Sequence, residues 1–304
     1  MATAGVQLKG SSAEAGAGAD LPALVNLIEA RLSGLIPAAP AGENRVLFQA
    51  AATALLGRGK RARPILSMLA CAHVGGRAHD AVDYGCAVEI VHAASLVLDD
   101  LPCMDDAVMR RGAAAVHVAH GEDAAVLVSI ALLNQAHCTV LRAALPIEQR
   151  LALLEELTTA VGFEGLAHGQ MRDLRDAPDQ RTEGGLRRLN HLKTGGLIVA
   201  ALKGGGVIGG AAAGQLEALT RFGECIGFAF QLCDDLLDAT GTAAELGKDI
   251  GQDRDKLTFV DLWGVGRVQA AIRQAVERAE DALGDDCPLS DYVRGLLLNA
   301  SVLR

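Results

Sequence analysis

Apolar residues recur at helical spacing along most of the chain. Asp20 followed by Pro22 makes an N-cap and first-turn pair, after which Leu24, Val25, Ile28, Leu32, Leu35 and Ile36 fall on one helical stripe. A second helical run covers residues 45–56, and Pro64 opens a third. Residues 80–100 read as a mostly buried helix that Pro102 ends near Asp100. Long helical runs follow over 122–145 and 147–161, then a helix with one polar face around residues 165–173 and a polar connection over 176–185. The run from Gln215 leads into an acidic cluster at 234–238. There is no tandem repeat and no linker, which predicts one domain over 20–304. The small and polar residues 1–19 read as a disordered tail.

Composition sharpens this pattern into a fold class. Half of the 304 residues are apolar but only 3% are aromatic, and Ala, Leu and Gly dominate where a sheet protein would be rich in Val, Ile, Thr and aromatics. An all-α, single-domain helical bundle is expected. The net charge of −9 argues against a nucleic-acid surface, though not against a small anionic substrate, since magnesium and a few focused basic residues reverse a local field. The seven cysteines form no C-x-x-C pair and read as reduced residues of a cytoplasmic protein. No uninterrupted apolar run reaches the roughly 18 to 20 residues that span a bilayer. The stretch 197–213 comes closest but holds Lys203 and five glycines, so no membrane span is expected. The first twenty residues also lack the basic start and apolar core of a signal peptide.

The candidate chemistry is carried by two acidic clusters. Asp99, Asp100, Asp105 and Asp106 follow an apolar helical run, at the helix end where the macrodipole already disfavours carboxylates. Between Tyr84 and Arg110 there is no Lys or Arg, which makes a hard divalent metal the economical counter-ion. Asp234, Asp235 and Asp238 repeat the arrangement after Phe228-Ala229-Phe230, with Asp234 and Asp238 one turn apart on one helix face. Either cluster alone reads equally well as a solvated acidic turn. Together they predict two helix ends facing one cavity, holding metal ions that in turn hold a polyanion.

Three further stretches bear on that cavity. Gly57-Arg58-Gly59-Lys60-Arg61-Ala62-Arg63-Pro64 is a basic loop at a helix N-terminus, suited to phosphate, with a solvated basic turn as the alternative. His92 lies seven residues before Asp99 on about the same face, where an ordinary core histidine is the competing reading. The glycines beyond Lys193-Thr194-Gly195-Gly196 lack the G-x-x-x-x-G-K-[ST] arrangement, so close helix packing or a helix break explains them better.

With these residues the chain resembles the trans-prenyltransferases, the polyprenyl diphosphate synthases that include farnesyl and geranylgeranyl diphosphate synthases, over roughly residues 45–260. Asp99-Asp100-x4-Asp105 followed by Arg110-Arg111-Gly112 is similar to the family's first Asp-rich motif in its longer bacterial and plant form, and Asp234-Asp235-x2-Asp238 to the second. Gly59-Lys60-Arg61-x-Arg63-Pro64, Lys193-Thr194, Gln231 and Gly247-Lys248 follow the family's order. Arg58 stands where a glycine is usual, and Ala107-Val108 where acidic residues are frequent.

The resemblance implies an isoprenoid synthase fold around a central cavity, in a homodimer, joining isopentenyl diphosphate to an allylic prenyl diphosphate. Two or three Mg²⁺, with Mn²⁺ able to substitute, would be held by Asp99, Asp105 and Asp234, supported by Asp100, Asp235 and Asp238. Arg110, Lys193, Lys248 and Lys256 would bind the allylic diphosphate, and Lys60, Arg63, His92 and Arg111 the isopentenyl one. Lys193, Thr194 and Gln231 would stand at the reacting centre, Thr194 and Gln231 placing oxygen dipoles beside the carbocation. Ala94 and Ser95, five and four residues before Asp99, are small where shorter-chain members tend to carry an aromatic, which points to a twenty-carbon product. A fifteen-carbon product, or a non-catalytic subunit of a heteromeric prenyltransferase, is the alternative. A terpene cyclase fits less well, because its second metal motif mixes Asn, Ser or Thr and Glu and it binds no second diphosphate.

Overall fold

The structure, a computed structural model, describes residues 20–177, 182–240, 257–284 and 287–298. The expected tail over 1–19 and the positions of Lys248 and Lys256 lie outside the described residues. The described helices, numbered in order, are α1 (Leu21–Leu35), α2 (Val46–Leu56), α3 (Ala62–His73), α4 (Val82–Asp99), α5 (Val116–His120), α6 (Glu122–Arg142) and α7 (Ile147–Val161). They continue with α8 (Leu166–Arg175), α9 (Glu183–Asn190), α10 (Gly196–Gly209), α11 (Ala213–Thr240), α12 (Phe259–Trp263), α13 (Val265–Leu283) and α14 (Pro288–Leu298). A 3₁₀ turn (Ala78–Ala81) precedes α4, and a π-helical turn (His191–Gly195) joins α9 to α10. Among the described residues the only strands are a two-residue antiparallel pair, β1 (Met109–Arg110) and β2 (Ala113–Ala114). The all-α expectation therefore holds, with this hairpin as its one departure.

Local chemistry sets the helix boundaries. Asp20 caps α1 by accepting from the Ala23 N–H at 3.2 Å. The third helix begins at Ala62, two residues ahead of Pro64, because Arg61 takes a left-handed conformation (φ 50°) that turns the basic loop into the helix.

The centre of the bundle is α4 with α10. Helix α4 carries apolar side chains on all faces, so it is stable only when surrounded, and it packs among α1, α3, α6 and α10. Burying each of its Val, Leu and Ile side chains contributes about 2 kcal/mol. Its one internal acid, Glu89, is paired with Arg61 at 3.2 Å. Tyr84 lies along α10, its hydroxyl donating to the Ala200 carbonyl at 3.1 Å, and a Cβ on Gly204 would stand 1.9 Å from its ring. The glycine-rich run is therefore a close-packed, unbroken helix, the first of the two readings that the sequence left open.

Two helical stretches, Ala78–Asp99 and Glu122–Arg142, are long and apolar enough by length and composition to cross a membrane, contrary to the expectation that no run would be. That expectation counted uninterrupted apolar residues, whereas mean hydropathy tolerates the few polar ones in these helices. The first stretch is mostly buried inside the bundle.

Candidate active site

The loop after α4 folds back under the helix end. The Asp99 carbonyl accepts from the Asp105 N–H (2.9 Å) and the Asp100 carbonyl from the Ala107 N–H (3.2 Å), satisfying orphan helix-end acceptors and bringing Asp105 up beside Asp99. Asp99 is half-buried, and its carboxyl is pushed up to about 6, chiefly by burial. Asp105 and Asp100 add to that rise while Lys193 and Arg110 oppose it. Asp100 is buried and ion-paired with Arg110, whose Nε donates at 2.8 Å and whose second guanidinium nitrogen is also in contact. The fold-back of this loop, closed by the Asp106 N–H on the Leu101 carbonyl (3.1 Å) and the Ala107 N–H on the Asp100 carbonyl, returns Arg110 to a carboxylate ten residues earlier. Of the expected metal support, then, Asp100 is engaged by the arginine that the resemblance gave to the allylic diphosphate.

The second acidic cluster divides in the same way. Asp234 is exposed and Asp238, one turn on, is half-buried. Asp235 turns inward: its Oδ1 accepts from Gln231 Nε2 (2.8 Å) and its Oδ2 from the Phe259 N–H (2.9 Å). Gln231 Oε1 in turn accepts from the Thr194 hydroxyl at 3.3 Å. A continuous line of hydrogen bonds thus runs from Thr194 through Gln231 to Asp235 and α12.

The π-helical turn joins the two halves of the site. Its extra residue shifts the side-chain register between α9 and α10, so that neighbouring residues serve different partners. Lys193 donates to Asp173 Oδ2 at 2.6 Å and acts on Asp99, while Thr194 reaches Gln231. A Cβ on Gly169 would stand 2.6 Å from the Lys193 nitrogen, so α8 lies directly against this turn. Asp173 and Gln170, both on α8, had no role assigned from the sequence. The one signal was the polar face over 165–173. Gln170 is buried with neither amide atom hydrogen-bonded, an arrangement that favours a polar partner.

The basic residues form a separate group. Arg61, only 2% exposed, is a structural clamp: it donates to Glu29 (2.7 Å), Glu89 (3.2 Å) and the Gly57 carbonyl (2.9 Å). Arg63 has a buried Nε with no partner, and burial together with Arg111 disfavours its charge. Arg111 contacts His92 Nε2 at 3.3 Å. A guanidinium only donates, so Nε2 accepts, and the imidazole is neutral with its proton on Nδ1. Burial, with Arg63, Arg111 and Arg110, holds the His92 pKa well below its ordinary value. Lys60 is exposed and acts on Cys233 of α11, which puts the basic loop beside the second acidic cluster. Among the described residues the non-glycine positions with positive φ are Arg61, Asp106 and Arg111, all in the loops that build this site.

Half-buried cations crowded together call for an anion, and crowded carboxylates for a cation. Among the described residues no three His, Cys, Asp or Glu side chains converge into a complete metal cage. That suits Mg²⁺, which keeps waters and binds through one or two carboxylates plus substrate phosphates. The hard-oxygen donors Asp99, Asp105, Asp234 and Asp238 fit such an ion.

A family profile described as polyprenyl synthetase matches residues 44–280. The chain belongs to the polyprenyl synthetase family. It is 38% identical over 264 residues to a geranylgeranyl diphosphate synthase of Pantoea ananas, covering 86% of this chain and 85% of that one. To the geranylgeranyl diphosphate synthase of Pseudescherichia vulneris it is 36% identical over 290 residues, covering 94% and 93%. Its structure superposes on that of a geranyltransferase from Helicobacter pylori complexed with magnesium and isoprenyl diphosphate, with a TM-score of 0.82 and 28% identity, covering 95% of this chain and 99% of that one. As a polyprenyl synthetase the chain is a prenyltransferase, and a divalent metal belongs to its chemistry.

Proposed function

We propose that this polyprenyl synthetase condenses isopentenyl diphosphate with an allylic prenyl diphosphate and releases a twenty-carbon product, geranylgeranyl diphosphate. The observation that carries this reading is the separation of the site into a carboxylate group, braced at the π-helical turn, and a distinct arginine group beside His92. The two groups suit two diphosphates. Asp99, Asp105, Asp234 and Asp238 would hold the two or three Mg²⁺ that receive the allylic one, with Lys193 on the same side. The isopentenyl one lies on Arg63 and Arg111 with His92, Lys60 reaching in from the loop. Lys248, Lys256 and Arg110 join the allylic group on the resemblance alone.

Bound Mg²⁺, or Mn²⁺ in its place, supplies Lewis-acid stabilisation of the charge on the departing diphosphate. The allylic C–O bond breaks, the isopentenyl double bond attacks the cation, and the proton then lost passes to the released diphosphate. The oxygens of Thr194 and Gln231 stabilise the cation without attacking it. Asp100 and Asp235 hold Arg110, Gln231 and α12 in place. In the assay that tests this, purified protein, Mg²⁺ and labelled isopentenyl diphosphate are given each allylic starter in turn, and products are sized by chromatography. A twenty-carbon product is expected; fifteen carbons, or no turnover by the protein alone, would contradict it.

The length assignment rests on Ala94 and Ser95, about 6 to 8 Å along α4 from Asp99. Ala94 is fully buried, and the Ser95 hydroxyl turns back to the His92 carbonyl at 2.9 Å, so neither projects bulk from α4. Ala94→Tyr is expected to shift the main product to fifteen carbons while activity persists. An unchanged twenty-carbon product would remove Ala94 as the gauge.

We assign the outer face of α6 to a second copy of the chain. Leu127 is 58% and Ile130 53% exposed, with Val126 and Leu141 exposed on the same helix. Such a stripe on a surface helix marks an interface. Ile130→Glu is expected to convert a dimer, measured by light scattering at twice the chain mass, into a folded monomer. A wild-type monomer would refute the assignment. The reading of the chain as cytoplasmic is supported by its seven free cysteines.

A further inference from the structure

A cavity of about 630 Å³ opens between α9, α11, α12 and α13, and none of the candidate active-site residues lines it. That volume lies within the range of sites for small organic ligands. Its floor is aromatic. Phe228 and Trp263 meet edge to face with centroids 6.4 Å apart, and the Arg187 guanidinium lies 4.4 Å from the first ring and 5.3 Å from the second. The Arg267 guanidinium lies 4.8 Å from the centre of the Trp263 ring. A guanidinium stacked on a ring keeps its N–H edge available for an anion.

Arg273 and Arg278 complete the basic lining, and among the described residues neither they nor Arg267 makes a salt bridge. Against these four arginines stand Glu224 and Glu277 in the lining and Glu183, which pairs with Arg187 at 3.2 Å and accepts from Trp263 Nε1 at 3.1 Å, so one positive charge remains in excess in a chain whose net charge is −9. Several unpaired guanidinium forks above an aromatic floor recognise a phosphate-bearing anion with a flat or apolar body.

We propose that this cavity is an effector site for an organic diphosphate, the diphosphate engaging Arg267, Arg273 and Arg278 and the body lying on Phe228 and Trp263. The occupant would sit one ring away from the brace of the active site. Phe228 packs edge-on against Phe259 at 5.4 Å, and the Phe259 N–H holds Asp235. Occupancy therefore reaches the helix end that carries Asp234.

Trp263 is the chain's single tryptophan, so its emission reports this cavity directly. The full-length protein without Mg²⁺ is titrated with ADP, with farnesyl S-thiolodiphosphate and with inorganic diphosphate. A saturable change in emission is expected with ADP or the prenyl analogue, and inorganic diphosphate should bind about tenfold more weakly for want of a body. Saturation by only one of the two organic probes identifies the body as nucleoside or prenyl. The exposed double variant Arg273→Ala/Arg278→Ala should weaken binding by about tenfold or more, whereas Asp99→Ala should leave it unchanged. The saturating ligand should also alter turnover of the wild type but not of the double variant, whose basal turnover stays normal. No saturable change up to a few millimolar, or one that survives the double variant, would overturn the site. Equal turnover responses in wild type and double variant would overturn its role as an effector site.

Discussion

Asp99→Ala and Asp234→Ala are each expected to lower kcat by about a thousandfold or more, with circular dichroism and Tm close to wild type. The size follows from where the charge develops. Departure of a diphosphate is charge separation, and removing one preorganised stabiliser of such charge slows a reaction by about 10²- to 10³-fold. A lost metal ligand weakens every contact that the ion makes. The fold should be indifferent, because Asp234 is exposed and removing Asp99 relieves repulsion from Asp100 and Asp105 at a helix C-terminus. Asp235→Ala makes the informative contrast. That carboxylate holds Gln231 and the Phe259 N–H, so its loss should lower Tm as well as activity. An Asp234 variant with near-normal kcat would remove the second carboxylate group from the metal site.

Arg63→Ala is expected to raise KM for isopentenyl diphosphate roughly ten- to a hundredfold while changing KM for the allylic substrate far less. A hydrogen bond to a charged partner contributes about 1.5 to 3 kcal/mol, and each 1.4 kcal/mol is about tenfold in affinity. Arg63 has a buried Nε without a protein partner, the condition under which a ligand oxygen supplies the missing bond. Lys60→Ala should act in the same direction but more weakly, since an exposed ammonium is screened by solvent. Equal effects on both substrates would mean that the arginine group does not select one diphosphate.

Much of this architecture was legible in the chain, and what was hidden has a common physical cause. Helical periodicity placed α1, α2, α4, α7 and α11 within a few residues, because a stripe of apolar side chains is itself the driving force for their burial. The two acidic clusters were visible because carboxylates at the end of an apolar helix conflict with the macrodipole. Long-range pairing was not visible. Arg110 is ten residues from Asp100 in the chain, yet the folded-back loop between them returns it to that carboxylate. Asp235 reads in the sequence as support for the metal, and only the packing of Gln231 and α12 shows it bracing these elements. Arg61 looked like one more phosphate-binding residue of the basic loop, whereas Glu29 and Glu89, from two other helices, claim it. The π-helical turn at Lys193 has no pattern of its own in the sequence. It is revealed by α8 and α11 closing on it from two sides.

The most direct test of the account is metal removal from the active protein. Turnover of labelled isopentenyl diphosphate with an allylic starter is followed in Mg²⁺, in excess EDTA, and after Mg²⁺ is restored. The account predicts loss of turnover to background in EDTA and full recovery on readdition, because the carboxylates of Asp99, Asp105, Asp234 and Asp238 would otherwise repel the diphosphate they are placed to receive. Near-normal turnover in EDTA would contradict it.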